Sequence, residues 1–357
     1  MIKTDQLYKL LNLEYEFQQK PIIPKKNKKI SSQDSKSYYF AEVSEFLHKQ
    51  GFRPEYPEGK TFAMCVSHDI DLLYNHNSLK GNLFWGSVGL LSGNRPKANY
   101  HFRSISNRKI NESWRIEHTL ELLNEYKLSS SFYFLALESP ERDFNYRIEQ
   151  VEDEIAKIQA AGHEIGLHGG HDAYADEQKM QEEKNKLESI TKKVLIGYRS
   201  HFLNLEIPHT WEILENLNFR YDASLGFSRE VGFRNGMCYP FRLRKKVGER
   251  SKLFIFPLVI MDVALFLKKK SKYHYSLALC KLIIERIKEV NGVCTFLWHN
   301  NYMQGEMGKF FREIIEYSQS LGAWMPTHKE YLDWWQAKGY DQQMEGLLDD
   351  HLYKHAS

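Results

Sequence analysis

Two carboxylates one residue apart, Asp69 and Asp71 in the run Ser67-His68-Asp69-Ile70-Asp71, follow directly on the apolar stretch Phe62 to Val66. Side chains two apart on a strand point to the same side, so at a strand end this pair presents both carboxylates to one pocket. Like charges that close raise each other's pKa unless a cation, a shared proton or open solvent compensates. The pair therefore suits a metal and a base. Two solvated carboxylates capping the next helix are the plainer alternative.

Three later apolar, β-prone segments also run into His or Arg: Glu164-Ile165-Gly166-Leu167-His168, Ile196-Gly197-Tyr198-Arg199-Ser200-His201 and Cys294-Thr295-Phe296-Leu297-Trp298-His299. Strand ends that repeatedly carry ligand-type side chains are what a parallel barrel with its active site on one rim produces.

The elements that would position these residues alternate from Thr61 onward. Strands are expected at 61–66, 131–135, 164–167, 194–198, 219–221, 252–257 and 293–298. Helices are expected at 116–126, 148–161, 177–193, 208–217, 273–290 and 309–321. About seven strand and helix units point to an α/β fold, a barrel-like parallel sheet with right-handed crossovers. Residues 1–60 read as an N-terminal extension and linker, with helices expected at Leu7 to Phe17 and Tyr39 to Gln50. Residues 61–338 read as the barrel and 339–357 as a polar tail. Two long connections, Tyr74 to Asn111 and Ala223 to Arg250, carry no clear structural pattern, and loops of that length are usually functional or mobile.

Composition narrows the function classes. A net charge of +3 is too small for a typical nucleic-acid-binding surface, and no zinc-finger, homeodomain or RNA-recognition signature occurs. No Walker or dinucleotide glycine motif is present. Cys65, Cys238, Cys280 and Cys294 are widely spaced without a CxxC pair, so a reducing compartment is expected. The start lacks the apolar core of a signal peptide, and the longest apolar run, Leu253 to Leu267, is too short to span a bilayer comfortably. A cytoplasmic protein without a transmembrane segment is the expectation. From Leu72 to Asn111 there is no acid, while Lys80, Arg95, Lys97, Arg103, Arg108 and Lys109 supply positive charge. A second basic stretch is Lys25-Lys26-Asn27-Lys28-Lys29. Solvated loops, or a site for an anionic partner, would explain both.

Asp69/Asp71, Gly162-His163-Glu164-Ile165-Gly166-Leu167-His168, Gly197-Tyr198-Arg199 and Phe296-Leu297-Trp298-His299 resemble, in order and strand-end placement, the successive motifs of the polysaccharide deacetylases, carbohydrate esterase family 4. The resemblance covers roughly residues 61 to 335 and is to a divergent branch. It implies a distorted (β/α) barrel of about seven parallel strands and a divalent metal that serves removal of an acyl group from an N-acetylated sugar.

By position, the resemblance implies Asp69 as general base, Asp71 and His168 as metal ligands, Arg199 as the group orienting the base, and His299 as general acid. The family's second histidine falls on Asp172 here, with His171 beside it. His201, His171 and Asp172, in that order, are the candidates to complete the site. Arg234, Asp262, Trp298 and Asp172 are candidate substrate contacts, Asp262 alternatively a buried helix cap. Zn²⁺ suits such donors, and Co²⁺, Ni²⁺ or Fe²⁺ are also allowed. The implied partner is an acetamido sugar or glycan, diphosphate-linked if the basic loop Lys80 to Lys109 takes part. A carbohydrate-binding pseudo-deacetylase and a metal-dependent glycosyltransferase are the competing readings.

Overall fold

In the computed structural model, residues 10, 37–73, 79–106, 116–137, 146–246, 249–266 and 273–354 are described. All but Leu10 of the expected helix at Leu7 to Phe17, and the basic stretch at Lys25 to Lys29, lie outside them.

Ten strands make one sheet: β1 (Phe62–Ile70), β2 (Ser130–Leu135), β3 (Glu164–Gly169), β4 (Gly197–Ser200), β5 (Tyr221–Asp222), β6 (Phe241–Lys246), β7 (Glu249–Ile255), β8 (Leu258–Met261), β9 (Val293–Leu297) and β10 (Ala323–Trp324). Their order is β6-β7-β5-β4-β3-β2-β1-β9-β8, with β10 beside the start of β1, and every pairing except β6 with β7 is parallel. One short stretch of chain carries both β7, paired with β5, and β8, paired with β9. The sheet therefore curls back on itself. Backbone bonds from Leu258 N to Leu225 O (2.8 Å) and from Gly232 N to Val259 O (2.9 Å) tie the segment after β5 to β8. Counting the β7–β8 stretch as one stave, seven parallel staves form the distorted barrel that the alternation implies. All nine residues of β1 are buried, which explains why it reads as a near-continuous apolar run rather than an alternating one.

Helices cover the sheet as crossovers: α1 (Glu42–Lys49), α2 (Leu79–Leu91), α3 (Arg95–Ser106), α4 (Ile116–Glu125), α5 (Glu152–Ala160), α6 (Glu177–Thr191), α7 (His209–Asn216), α8 (Asp262–Phe266), α9 (Tyr273–Glu289), α10 (Gly305–Ser320), α11 (His328–Ala337) and α12 (Tyr340–Lys354). A capping box sets the start of α11: Thr327 Oγ1 accepts from Glu330 N and Glu330 Oε2 accepts from Thr327 N.

Three expectations from the sequence change. The Tyr74 to Asn111 connection contains a helical hairpin, α2 and α3, rather than an unstructured loop. The Ala223 to Arg250 connection is largely buried, through Val231, Phe233, Asn235, Met237, Cys238 and Tyr239, and ends in the β6–β7 hairpin. The polar tail is the helix α12, which buries Met344, Leu348 and Leu352 and places Glu345 against Arg242 (2.7 Å) and Arg250 (3.1 Å). The segment before the barrel also packs on it. Val43, Phe46 and Leu47 of α1 are buried, Val43 N donates to Gly236 O (2.9 Å), and Cys238 N donates to Ser44 Oγ (2.9 Å). Phe233 N reaches Tyr38 O, and a Cβ on Gly232, whose φ is +134°, would lie 2.3 Å from that same carbonyl. Only glycine allows this approach.

Candidate active site

The carboxyl end of β1 sets the centre. Two-residue alternation turns Ser67, Asp69 and Asp71 to one side and His68 and Ile70 to the other. His68 is fully buried with Nδ1 2.7 Å from the Trp298 carbonyl, and burial, only partly offset by that carbonyl, lowers its pKa to about 3. It is a neutral core histidine that locks β1 to the end of β9.

On the other side, β3 brings His168, whose Nδ1 lies 2.9 Å from the Arg199 carbonyl. A carbonyl only accepts, so Nδ1 carries a proton and donates, which leaves Nε2 to face Asp71 Oδ1 (3.3 Å) and Asp69 Oδ2 (3.7 Å). The segment after β4 brings His201, with Nε2 3.8 Å from Asp71 Oδ2. One ligand atom from each of Asp71, His168 and His201 lies within 4.8 Å of the others. A carboxylate and two imidazoles, one held by a backbone carbonyl behind it, suit a divalent transition metal.

Arg199, fully buried on β4, stands behind Asp69. Its Nη1 is 3.6 Å from Asp69 Oδ1, its Nη2 donates to Ser67 Oγ (3.1 Å), and its guanidinium lies over the Tyr133 ring at 4.8 Å. His299, just past β9, points Nε2 at Asp71 Oδ2 (3.6 Å), while its Nδ1 is 2.8 Å from Asp262 Oδ1. Asp262 is completely buried at the start of α8. It accepts from the backbone N–H of Val263 and of His299, both at 2.5 Å. Burial opposes charge on His299, yet Asp262 first and Asp71 and Asp69 after it raise its pKa to about 10. Burial likewise opposes charge on His168, and Asp69 and Asp71 raise its pKa above the ordinary value. For Asp71, burial is outweighed by the surrounding histidines, His168 foremost, and the carboxyl is held below its usual range.

Other sequence candidates are placed elsewhere. His171 packs its ring beside that of His201, centroids 4.6 Å apart, outside the converging trio. Asp172 is exposed and pairs with Lys179 (3.2 Å) at the surface. Trp298 is fully buried, stacked on Phe296 and Phe310, with Nε1 donating to Tyr302 O (3.1 Å), and so has no surface to offer a substrate. Arg234 donates to Gly226 O (2.8 Å) in the segment after β5. Asp262, at the start of α8, accepts from the next backbone N–H and also holds His299, a contact that sequence spacing does not reveal.

Two residues escaped the sequence reading. Ser67 bonds Arg199, and its signal was present, since it shares the alternating face of Asp69 and Asp71. Phe202, 57% exposed, stacks on His201 with centroids 4.1 Å apart. It and Leu203 both have φ of +57°, strained backbone of the kind that clusters at functional sites.

No protein-family model matches the chain, and no curated protein matches it in sequence. Solved structures do match in fold. A protein described as a polysaccharide deacetylase from Mycobacterium smegmatis superposes with a TM-score of 0.55 at 18% identity, covering 80% of this chain and 94% of its own. A probable polysaccharide deacetylase from Pseudomonas aeruginosa PAO1 gives 0.56 at 13% identity, covering 80% and 94%. Puue allantoinase gives 0.55 at 14% identity, covering 80% and 93%. The fold of this chain is that of the polysaccharide deacetylases, reached by a sequence that diverges widely from theirs.

Proposed function

We propose that the protein is a metal-dependent hydrolase that removes an N-acyl group, acetyl first among the candidates, from an amino sugar. The observation that carries this reading is the convergence of Asp71, His168 and His201, flanked by Asp69 and His299. Asp71, His168 and His201 would hold the metal. When bound, the metal supplies Lewis acidity toward an amide carbonyl and toward water, and Zn²⁺ is the ion best suited to this donor set.

The protein's own residues divide the proton work. Asp69, kept beside the Arg199 guanidinium, accepts the proton of the attacking water at Oδ2, the oxygen that faces His168. The second oxygen faces Arg199, which fixes the carboxylate plane. His299, protonated and steadied by Asp262, donates from Nε2 to the departing amine. The products are the free acid and an amino sugar. The exposed face of Phe202 beside His201 offers an aromatic surface on which a pyranose ring can stack. Because an allantoinase shares the fold, the substrate rests on these contacts rather than on the architecture.

Four buried, unpaired thiols fit a reducing, cytoplasmic setting, and among the described residues no helix is long and apolar enough to cross a membrane. The test is elemental analysis of the purified protein beside Asp71→Ala and His168→Ala, followed by assay of acetate release from acetamido sugars. One equivalent of a transition metal, lost in both variants, is expected. A protein that takes up no metal even on reconstitution would sink the reading in favour of a binding pseudoenzyme.

A further inference from the structure

The α2–α3 hairpin inverts the usual arrangement of a surface helix. In α2 the side turned to α3 carries small or polar residues. Asn82 Oδ1 lies 3.0 Å from His101 Nδ1, a Cβ on Gly86 would press on the Phe102 ring, and one on Gly89 would press on the Ala98 backbone. The large apolar side chains point the other way. Leu79 and Phe84 are each 60% exposed and Leu91 is 89% exposed, with Leu83, Trp85 and Leu90 beside them. Of the twelve large hydrophobic side chains exposed among the described residues, seven lie in this hairpin. That concentration marks an interaction surface rather than scattered surface apolarity.

The charge on the same element has one sign. From Leu72 to Asn111 the chain holds six basic residues and no acid, against +3 for the whole protein. Lys80, Arg95 and Arg103 are exposed on the hairpin, and Lys97 sits over the Trp85 ring at 4.5 Å. Large apolar and aromatic residues outward, small residues between the helices, and cations without acids are what a helix seated in an anionic lipid interface needs. A second copy of this chain fits less well, because a two-fold contact places the same patch against itself and sets these cations against their own kind. At 13 residues α2 reaches about 20 Å, short of a bilayer's hydrocarbon core, so it lies in one leaflet.

We propose that the α2–α3 hairpin docks the protein on an anionic lipid surface. The docking stands apart from the hydrolytic reading, yet it has a bearing on the site. Only six residue steps separate Leu73 from Leu79, at most about 20 Å of extended chain. The Leu72 carbonyl accepts from Asn300 Nδ2 (2.9 Å), next to His299. The hairpin thus springs from the rim that carries the site, and docking holds that rim near the membrane.

The experiment is co-sedimentation of the full chain with vesicles of phosphatidylcholine alone and of phosphatidylcholine mixed equally with phosphatidylglycerol. Binding to the anionic vesicles is expected to be at least about tenfold tighter and to weaken with salt. Phe84→Glu with Leu91→Glu should reduce it by about tenfold or more, while Arg95→Glu with Arg103→Glu should abolish the preference for anionic lipid. These side chains are exposed, so circular dichroism and melting temperature should be unchanged. Wild-type protein that stays in solution, binds both vesicle types equally, or is indifferent to the substitutions would overturn the proposal. So would self-association in solution that Phe84→Glu with Leu91→Glu abolishes, without vesicle binding.

Discussion

Asp69 and Asp71 are two residues apart, and their neighbours separate their roles. Asp69 lies between Arg199 and His168, whereas Asp71 faces three histidines. Asp69→Asn is expected to lower turnover by about 10²–10⁴-fold with metal content unchanged; activity near the wild-type level would remove Asp69 from the base role. Asp262 is the main group raising the pKa of His299 to about 10. In the proposed role of general acid His299 works only while protonated, so its contribution is present below its pKa and lost above. Asp262→Asn should move the alkaline limb of the pH–rate profile down by about 1–3 units. The same pair bears on stability. A histidine whose folded pKa is raised contributes fully below its unfolded value of about 6.5, and that contribution is lost as pH rises from there to about 10. At this scale the sequence was readable wherever alternation or a strand end placed a residue, as for Asp69, Asp71, His168, Arg199 and His299. It was unreadable where a partner came from a distant element, as Asp262 does for His299, or from an unusual backbone, as at Phe202.

Elements show the same division. β1, β3 and β9 could be located because parallel strands buried on both faces leave continuous apolar runs ending in polar residues. The α2–α3 hairpin could not, because its buried faces carry Asn82, Gly86, Gly89, Ala98, His101 and Ser104 rather than a stripe of large apolar residues at 3.6-residue spacing. α12 was missed for a different reason: Met344, Leu348 and Leu352 recur every four residues, a narrow stripe inside an otherwise polar stretch. Gly197 in β4 shows what a strand glycine does here. A Cβ there would lie 2.1 Å from Tyr221 Oη, which is fixed in the barrel by its bond to Glu164 Oε1 (2.7 Å). Gly197→Ala should cost about 1–3 kcal/mol by forcing that ring aside. A denaturation midpoint equal to wild type would show that the ring can yield freely.

For the whole molecule, the barrel does not end where the sequence motifs end. α1 and α12 close one side of it, and Arg242 and Arg250 of the β6–β7 hairpin are held by Glu345 of α12. Removing residues 340–357 should cost about 5 kcal/mol or more, from three buried apolar side chains at roughly 1.5–3 kcal/mol each. A thermal melt and soluble yield measure this, and an unchanged transition would make the segment dispensable. Glu345→Ala should lie between, since it removes one carboxylate from two arginines that keep Asp341 (3.3 Å from Arg242) and Asp349 (2.7 Å from Arg250), while the apolar stripe stays.

The pairing of β1 also orders events in time. One edge of β1 meets β2 within its first seventy residues of following chain, but the other waits for β9, with His68 and Trp298 230 positions apart. On a ribosome adding about 5–20 residues per second, that edge stays open for roughly 10–50 s. An open edge strand with an apolar run such as Phe62 to Val66 is a template for wrong pairing. The strand that leads into the two proposed site aspartates is thus a liability of the nascent chain, and the protein's dependence on chaperones should be set by how quickly synthesis reaches Val293.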